Sequence, residues 1–399
     1  MGETGEGGRP RGRLRRIAGV AAWALLWLLA AAAIAVTVVP HYLDRIYYRG
    51  PADAHFDGEH FFNPDGDDMM PPGSRNSILL RQIAGDPTRP WWPDRVALTP
   101  ARPPARVTGG EMLATWIGHA TMLVQADGIN ILTDPIWSDT AGPFGVGPRR
   151  VAEPGVRFDD LPRIDLVLVS HNHYDHLDLD TLRRLWQRDR PLIVTSLGND
   201  AILRSAGIEA QARDWGGEVA VRPGISVAVT RNHHWGSRWF RDRNRALWSS
   251  FVVRLPHGNF FFAGDTGFGD GRWPAEAAAL GPIRLAGIPI GAFRFEEGQM
   301  GTGSHIGPRE AIRVWQGLGR PRAIPIHWGT FRLSQEGYWT PPRLLQAMLG
   351  CAGSAGRGFA PARIGRPVRV APLAAPAGPG PDLAAIDACW KAGRFDAYR

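Results

Sequence analysis

Residues 164–178 read IDLVLVSHNHYDHLD. The first part, IDLVLV, is an apolar run broken only by Asp165, which suits a strand buried on both faces. Directly after it, residues 171–176 hold His171, His173, Asp175 and His176, in a chain with 12 histidines altogether. Polar groups this dense at the exit of a buried strand are costly unless something binds them. The stretch therefore restricts the chain to folds in which a central strand ends at a ligand-binding edge. A solvated polar loop is the bland alternative. It accounts for one histidine here, but not for three.

The rest of the chain repeats this arrangement. From residue 112 on, short apolar runs recur between Gly, Pro, Asn and Asp: MLATWI, TMLVQA, NILTD, PLIVTS, ISVAVT, SSFVVRL, NFFFAGD, LAGIPI and RAIPIH. They read as strands. Amphipathic segments LDTLRRLWQ, DAILRSAG and GPREAIRVWQGLG lie between some of them and read as helices. A layered α/β (α+β) domain follows. Several runs end in chemistry-bearing residues: ISVAVT leads to His233 and His234, NFFFAGD ends at Asp265, and RAIPIH ends at His327. If SHNHYDH continues extended, side chains alternate, so His171, His173 and Asp175 point one way and His176 the other. Two diverging groups suit two adjacent metal ions. Nitrogen and oxygen donors without thiolate suit zinc, manganese or iron. Cys351 and Cys389 lie far from the histidines and form no CxxC, so they either pair or are buried thiols.

Residues 17–39, IAGVAAWALLWLLAAAAIAVTVV, contain no charge. About 20 such residues span a bilayer core as a helix. A cleaved signal peptide has a shorter apolar region, typically about 7–15 residues, so an uncleaved anchor is expected. Arg9, Arg11, Arg13, Arg15 and Arg16 precede it and place residues 1–16 on the cytoplasmic side as a basic tail. Arg15-Arg16 also weakly resembles a twin-arginine export signal. The expected topology is a single-pass inner-membrane protein with its bulk on the periplasmic side. Residues 40–104 read as an irregular arm with a short helix at SILLRQIAG. Residues 105–371 read as the catalytic domain, and residues 372–399 as a Pro/Ala linker and tail. The formal net charge is +8 and the pI about 10.2, but apart from the N-terminal arginines the basic residues are scattered. A nucleic-acid partner, which needs a basic face or stripe, is not expected.

HNHYDH resembles the HxHxDH motif of the metallo-β-lactamase superfamily. TWIGHATMLV, ILTDPIWS, SHNHYDHLD, FFFAGDTGF, IPIGAF and IHWGTF, in this order, resemble one branch of it. That branch is the N-acylphosphatidylethanolamine-hydrolysing phospholipase D family with its bacterial relatives. The resemblance covers residues 105–350. It implies an αββα sandwich with two Zn2+ at one edge of the sheets, or Mn2+ or Fe in their place. Carried over residue by residue, His171, His173 and His234 hold one ion. Asp175, His176 and His327 hold the other, and Asp265 bridges them. His234 is preferred to His233 because the family's ligand precedes an aromatic, here Trp235. Asp175 would also orient the nucleophile. His305, in GTGSHIGP, matches a histidine-bearing loop near the substrate. It would bind phosphate or protonate the leaving oxygen, or be an ordinary loop histidine. Asp134 resembles a carboxylate that orients a ligand histidine. His119 falls near the site without an assigned role.

The remaining candidates are weaker. His41, His55, His60 and His257 read as surface or packing residues. Trp235, Trp239 and Phe240, like Trp91 and Trp92, read first as core residues and second as lipid contacts. The resemblance thus implies a membrane-anchored zinc phosphodiesterase acting on phospholipids of the N-acylphosphatidylethanolamine type. The alternative is a hydrolase of the same fold acting on a soluble ester, lactone or phosphodiester.

Overall fold

The computed structural model describes residues 11–38, 46–66, 90–239, 241–294, 302–354, 358–376 and 378–395. Helix α1 covers Arg11–Thr37 and is followed, after the arm, by two packed sheets. The first sheet contains β1 (Met112–Gly118), β2 (Thr121–Ala126), β3 (Ile129–Thr133), β4 (Leu166–Val169), β5 (Leu192–Ser196), β6 (Gln211–Arg213) and β13 (Val368–Val370), in the order β13-β1-β2-β3-β4-β5-β6. The second contains β7 (Glu218–Arg222), β8 (Ile225–Thr230), β9 (Ser250–Arg254), β10 (Asn259–Phe262), β11 (Ile283–Pro289) and β12 (Arg322–Ile326), in the order β12-β11-β10-β9-β8-β7. Helices α2 (Leu179–Asp189) and α3 (Asn199–Ser205) cover the first sheet; α4 (Trp273–Ala278), α5 (Pro308–Gly317) and α6 (Thr340–Cys351) cover the second. This is the expected αββα sandwich.

The core follows from the strand sequences. Met122, Val124, Ile131, Leu166 and Leu168 face Val227, Val253 and Phe260 across the sheets, all fully buried. The alternate residues Leu123, Leu132, Val167 and Val169 pack outward on Leu182, Leu185 and Leu203. Strand β10 is buried along its whole length, as the uniform run NFFF requires. Strands β6, β7 and β13 were not among the expected strands. Strands β6 and β13 are three residues each, and β7 exposes alternate residues at a sheet edge, so none shows a buried-strand pattern.

The polypeptide's two ends behave differently. Helix α1 is apolar, with a mean hydropathy of 2.3 over Arg15–Thr37, and none of it is buried against the protein. At the C-terminus, α7 (Leu383–Lys391) docks through buried Ile386, an Arg309–Asp387 ion pair and a Cys351–Cys389 disulfide. Of the two readings left open for the cysteines, pairing is what the structure contains. The arm 46–66 is irregular and packs Phe56 and Phe61 against Leu247 and Trp248. The short helix expected at SILLRQIAG lies outside the described residues.

Candidate metal centre

The C-terminal ends of β3, β4, β8, β10 and β12 converge at one edge of the sandwich. Close approach there depends on Gly264, which has φ +62°. A Cβ at this position would sit 2.6 Å from Ser170 Cβ, so any side chain would push Asp265 away from the residues that follow β4. His119, Asp134 and His327 also have positive φ, of 51°, 31° and 62°. Such conformations cost roughly 1–3 kcal/mol each, and here they gather at one site.

The residues following β4 do not continue extended. His176 N and Leu177 N both donate to the His173 carbonyl, at 3.1 and 2.9 Å, closing a turn. The expectation that Asp175 points with His171 and His173 is therefore wrong. The turn swings Asp175 over to His176 instead. Asp178 then accepts from Asp180 N and Thr181 N and starts α2, so the reversal is locked from its far side.

Two groups result. In the first, His171 Nε2 lies 2.7 Å from His173 Nδ1, which lies 3.4 Å from His234 Nε2. In the second, Asp175 Oδ2 lies 3.4 Å from His176 Nε2 and 3.7 Å from His327 Nε2. Asp265 Oδ2 is 3.1 Å from His176 Nε2 and 3.0 Å from His327 Nε2. All seven residues proposed as ligands from the sequence are thus brought to one place. His233 turns away and pairs with Asp65 at 3.1 Å, while His234 Nδ1 donates to the Ser304 carbonyl at 2.7 Å. His305 is buried beside the cluster, its Nδ1 3.8 Å from Asp265 Oδ2.

The supporting shell is equally specific. Asp134 Oδ2 takes His176 Nδ1 at 2.7 Å and Ser170 Oγ at 2.6 Å, while its Oδ1 takes Ser170 N at 2.7 Å. Ser170 Oγ in turn meets His171 Nδ1 at 2.9 Å. One buried carboxylate thereby sets the ring orientation in both groups. His119, fully buried, places Nε2 3.0 Å from Asp175 Oδ2 and its ring 4.2 Å from that of His327. The sequence reading gave His119 no role. Its signal is a histidine following a strand-end glycine, which a spacing argument cannot separate from a packing histidine. The arm also contributes: Asn63 Nδ2 donates to the His234 carbonyl at 2.8 Å, and Trp248 Nε1 donates to Asn63 Oδ1 at 3.1 Å. Nothing in the irregular sequence of the arm announced these bonds.

The donor set fits metal ions on its own chemistry. Burial pushes His173 down to about 3 and holds His171 and His234 well below the usual imidazole range. Three neutral rings therefore gather their ring nitrogens, the ligand form of imidazole, around one point that a cation could share. In the second group, burial opposes charge on every member. Yet Asp265 and Asp175 hold His327 up at about 9 and His176 well above the usual range. His176 Nε2, His327 Nε2 and Asp265 Oδ1 are buried without a hydrogen bond of good geometry. Buried donors left open toward a shared point are what a metal site presents.

A sequence profile described as "Beta-lactamase superfamily domain" matches residues 129–328, half of the chain. The chain belongs to this superfamily. Within the metallo-β-lactamase fold, it is similar to N-acyl-phosphatidylethanolamine-hydrolyzing phospholipase D 1 of Caenorhabditis elegans. The two are 36% identical over 243 residues, which are 58% of this chain and 68% of that protein. An uncharacterised Mycobacterium tuberculosis protein is 36% identical over 250 residues, 61% of this chain and 65%, just under two thirds, of that protein. Among solved structures, an isothiocyanate hydrolase from Delia radicum gut bacteria has a TM-score of 0.52 at 18% identity, covering 66% of this chain and 100% of that one. At that identity the likeness concerns the fold alone. Relatives and site chemistry agree on the class of protein. This metallo-β-lactamase-fold chain is a metal-dependent hydrolase.

Proposed function

We propose that the chain is a dinuclear zinc phosphodiesterase acting on phospholipids of the N-acylphosphatidylethanolamine type, releasing phosphatidic acid and an N-acylethanolamine. The observation that carries this reading is the pair of adjacent donor groups, with Asp265 against His176 and His327 of one and within 4.8 Å of His234 of the other. His171, His173 and His234 would hold one ion; Asp175, His176 and His327 would hold the other. Such a pair supplies an activated water at neutral pH and positive charge for the phosphoryl oxygens in an in-line displacement. Asp175, fixed by His119, orients the nucleophile. His305, which burial lowers to about 4, stays neutral near pH 7 and offers a ring N–H to a phosphoryl oxygen. Asp134 fixes the tautomers of His171 and His176 through its bonds to Ser170 and His176.

The lipid substrate draws support from two further features. The phospholipase D relative of Caenorhabditis elegans carries that substrate in its name. Helix α1, apolar and unburied, would tether the chain to a bilayer, with residues 1–16 cytoplasmic and the catalytic domain, residues 105–371, on the periplasmic side. The Cys351–Cys389 disulfide suits that oxidising side. The deciding assay presents N-acylphosphatidylethanolamine in mixed micelles to zinc-loaded protein, beside His173→Ala. Phosphatidic acid from the first and none from the second is the expected result. No product from protein that still holds two metal ions per chain would overturn the lipid substrate and direct attention to soluble esters, lactones and phosphodiesters.

A further inference from the structure

Outside α1, Phe144 is the most exposed of the large hydrophobic residues among those described, at 90%, and Val146 is exposed by 70%. Both sit on one loop tip, and the tip is built. Thr140 bridges Arg149 in antiparallel fashion, Arg150 N donates to the Asp139 carbonyl at 2.8 Å, and Val146 N donates to the Pro143 carbonyl at 2.9 Å. Phe144 itself is held at φ 54°, a conformation that bulky residues rarely adopt. A fold that fixes an aromatic residue in water, in a strained backbone, is using it for contact with something else.

The position of the tip says what that is. Phe144 and Gly145 border a groove of about 1200 Å³ that Trp239, Tyr174 of the HNHYDH turn and Ile46 also line. The Phe144 ring lies 6.1 Å edge-on from that of Trp239. Ile46 and Tyr47 belong to the chain that has just left α1, and Tyr47 is fastened there by its hydroxyl to Asp242 at 2.8 Å. From the end of α1 at Thr37 to Ile46 the chain reaches at most about 32 Å, even fully extended. If α1 lies in a bilayer, this groove is therefore kept beside the surface of that bilayer. Exposed Arg149, at the base of the tip, suits anionic headgroups, and Phe, Trp and Val suit the boundary of headgroup and acyl chain.

We infer that the Pro143–Val146 tip inserts Phe144 and Val146 into the bilayer that α1 spans, so that the catalytic edge next to Tyr174 is presented to lipid. The inference rests on the proposed membrane tether, and its test separates the two. Both native cysteines are paired, so Val146→Cys gives the full-length protein one labelling site for an environment-sensitive dye. The control is Pro223→Cys, on the β7–β8 turn, at the end of the sheets away from the site. Both proteins are reconstituted in vesicles of phosphatidylethanolamine and phosphatidylglycerol with a lipid-borne quencher, and tether strength is scored by alkaline extraction. The dye at residue 146 should shift to the blue and be quenched, and the dye at 223 should not. A water-like dye at 146 overturns the inference: with the protein resisting extraction the tether survives, and with the protein extracted both fail. Phe144→Ser/Val146→Ser should lower the ratio of N-acylphosphatidylethanolamine hydrolysis in vesicles to that in mixed micelles by about tenfold. An unchanged ratio would also overturn it.

Discussion

The 171–176 turn and the 46–66 arm meet the same cluster by opposite means. The turn contributes His171, His173, Asp175 and His176 from one short segment, each within 3.7 Å of another donor. The arm contributes no donor to the cluster. Asn63 instead holds the backbone of His234 and Asp65 holds the ring of His233. Chemistry is concentrated in one local segment, where strand exit, turn and helix cap can place several side chains at once. Orientation is dispersed over distant segments, because a ring can be braced from any side that packing makes available.

The comparison predicts unequal losses. His173→Ala removes a donor of the turn, and activity should fall by at least about a thousandfold with loss of one bound metal; metal analysis beside turnover checks this. Asp134→Ala leaves all seven donors but frees His176 and Ser170. Metal affinity or activity should drop roughly 10–100-fold, measured by competition with a zinc chelator. His119→Ala releases Asp175 and should cost about tenfold in kcat with little change in KM. Asp65→Ala, on the arm, should cost only about 1 kcal/mol, a few-fold in activity. If Asp65→Ala proved as damaging as His173→Ala, the division between donors and braces would be wrong.

The smallest effect concerns how the arm is held. His55 Nε2 pairs with Asp214 Oδ1 at 2.8 Å, and that bond raises the imidazole above its ordinary range. A folded-state pKa above the unfolded one stabilises the protein fully below the unfolded value, about 6.5, and the gain is lost as pH rises through the folded value. The arm should therefore be cleaved faster by a protease as pH rises through the folded value, and His55→Gln should flatten that dependence. A pH-independent cleavage rate in the native protein would remove His55 as the fastening.

Much of the site was legible because it is local. Strand β4 is a plain apolar run, and the donors follow it without interruption. Asp265 and His327 likewise sit within a few residues of the ends of β10 and β12. What misled was the assumption of an extended segment after β4. Periodicity reports side-chain direction only while the backbone keeps its conformation, and two bonds to the His173 carbonyl end the strand geometry. Strands β6, β7 and β13 were missed because a short or exposed edge strand needs no buried pattern, whereas the edge strand β12 is buried and was legible.

The amino-acid sequence by itself determined the apolar helix, the alternation of strands and helices, the absence of thiolate near the histidines and the donors that follow the strands. Each of these is a property of a continuous segment. Tertiary structure decided the rest: that Asp175 joins His176, that His119 braces Asp175, that His234 faces the cluster while His233 faces Asp65, and that Cys351 meets Cys389. Those pairings depend on which distant backbones approach one another, and approach is set by the packing of two sheets and, around the cluster, by glycines such as Gly264 and Gly269 that leave room for it.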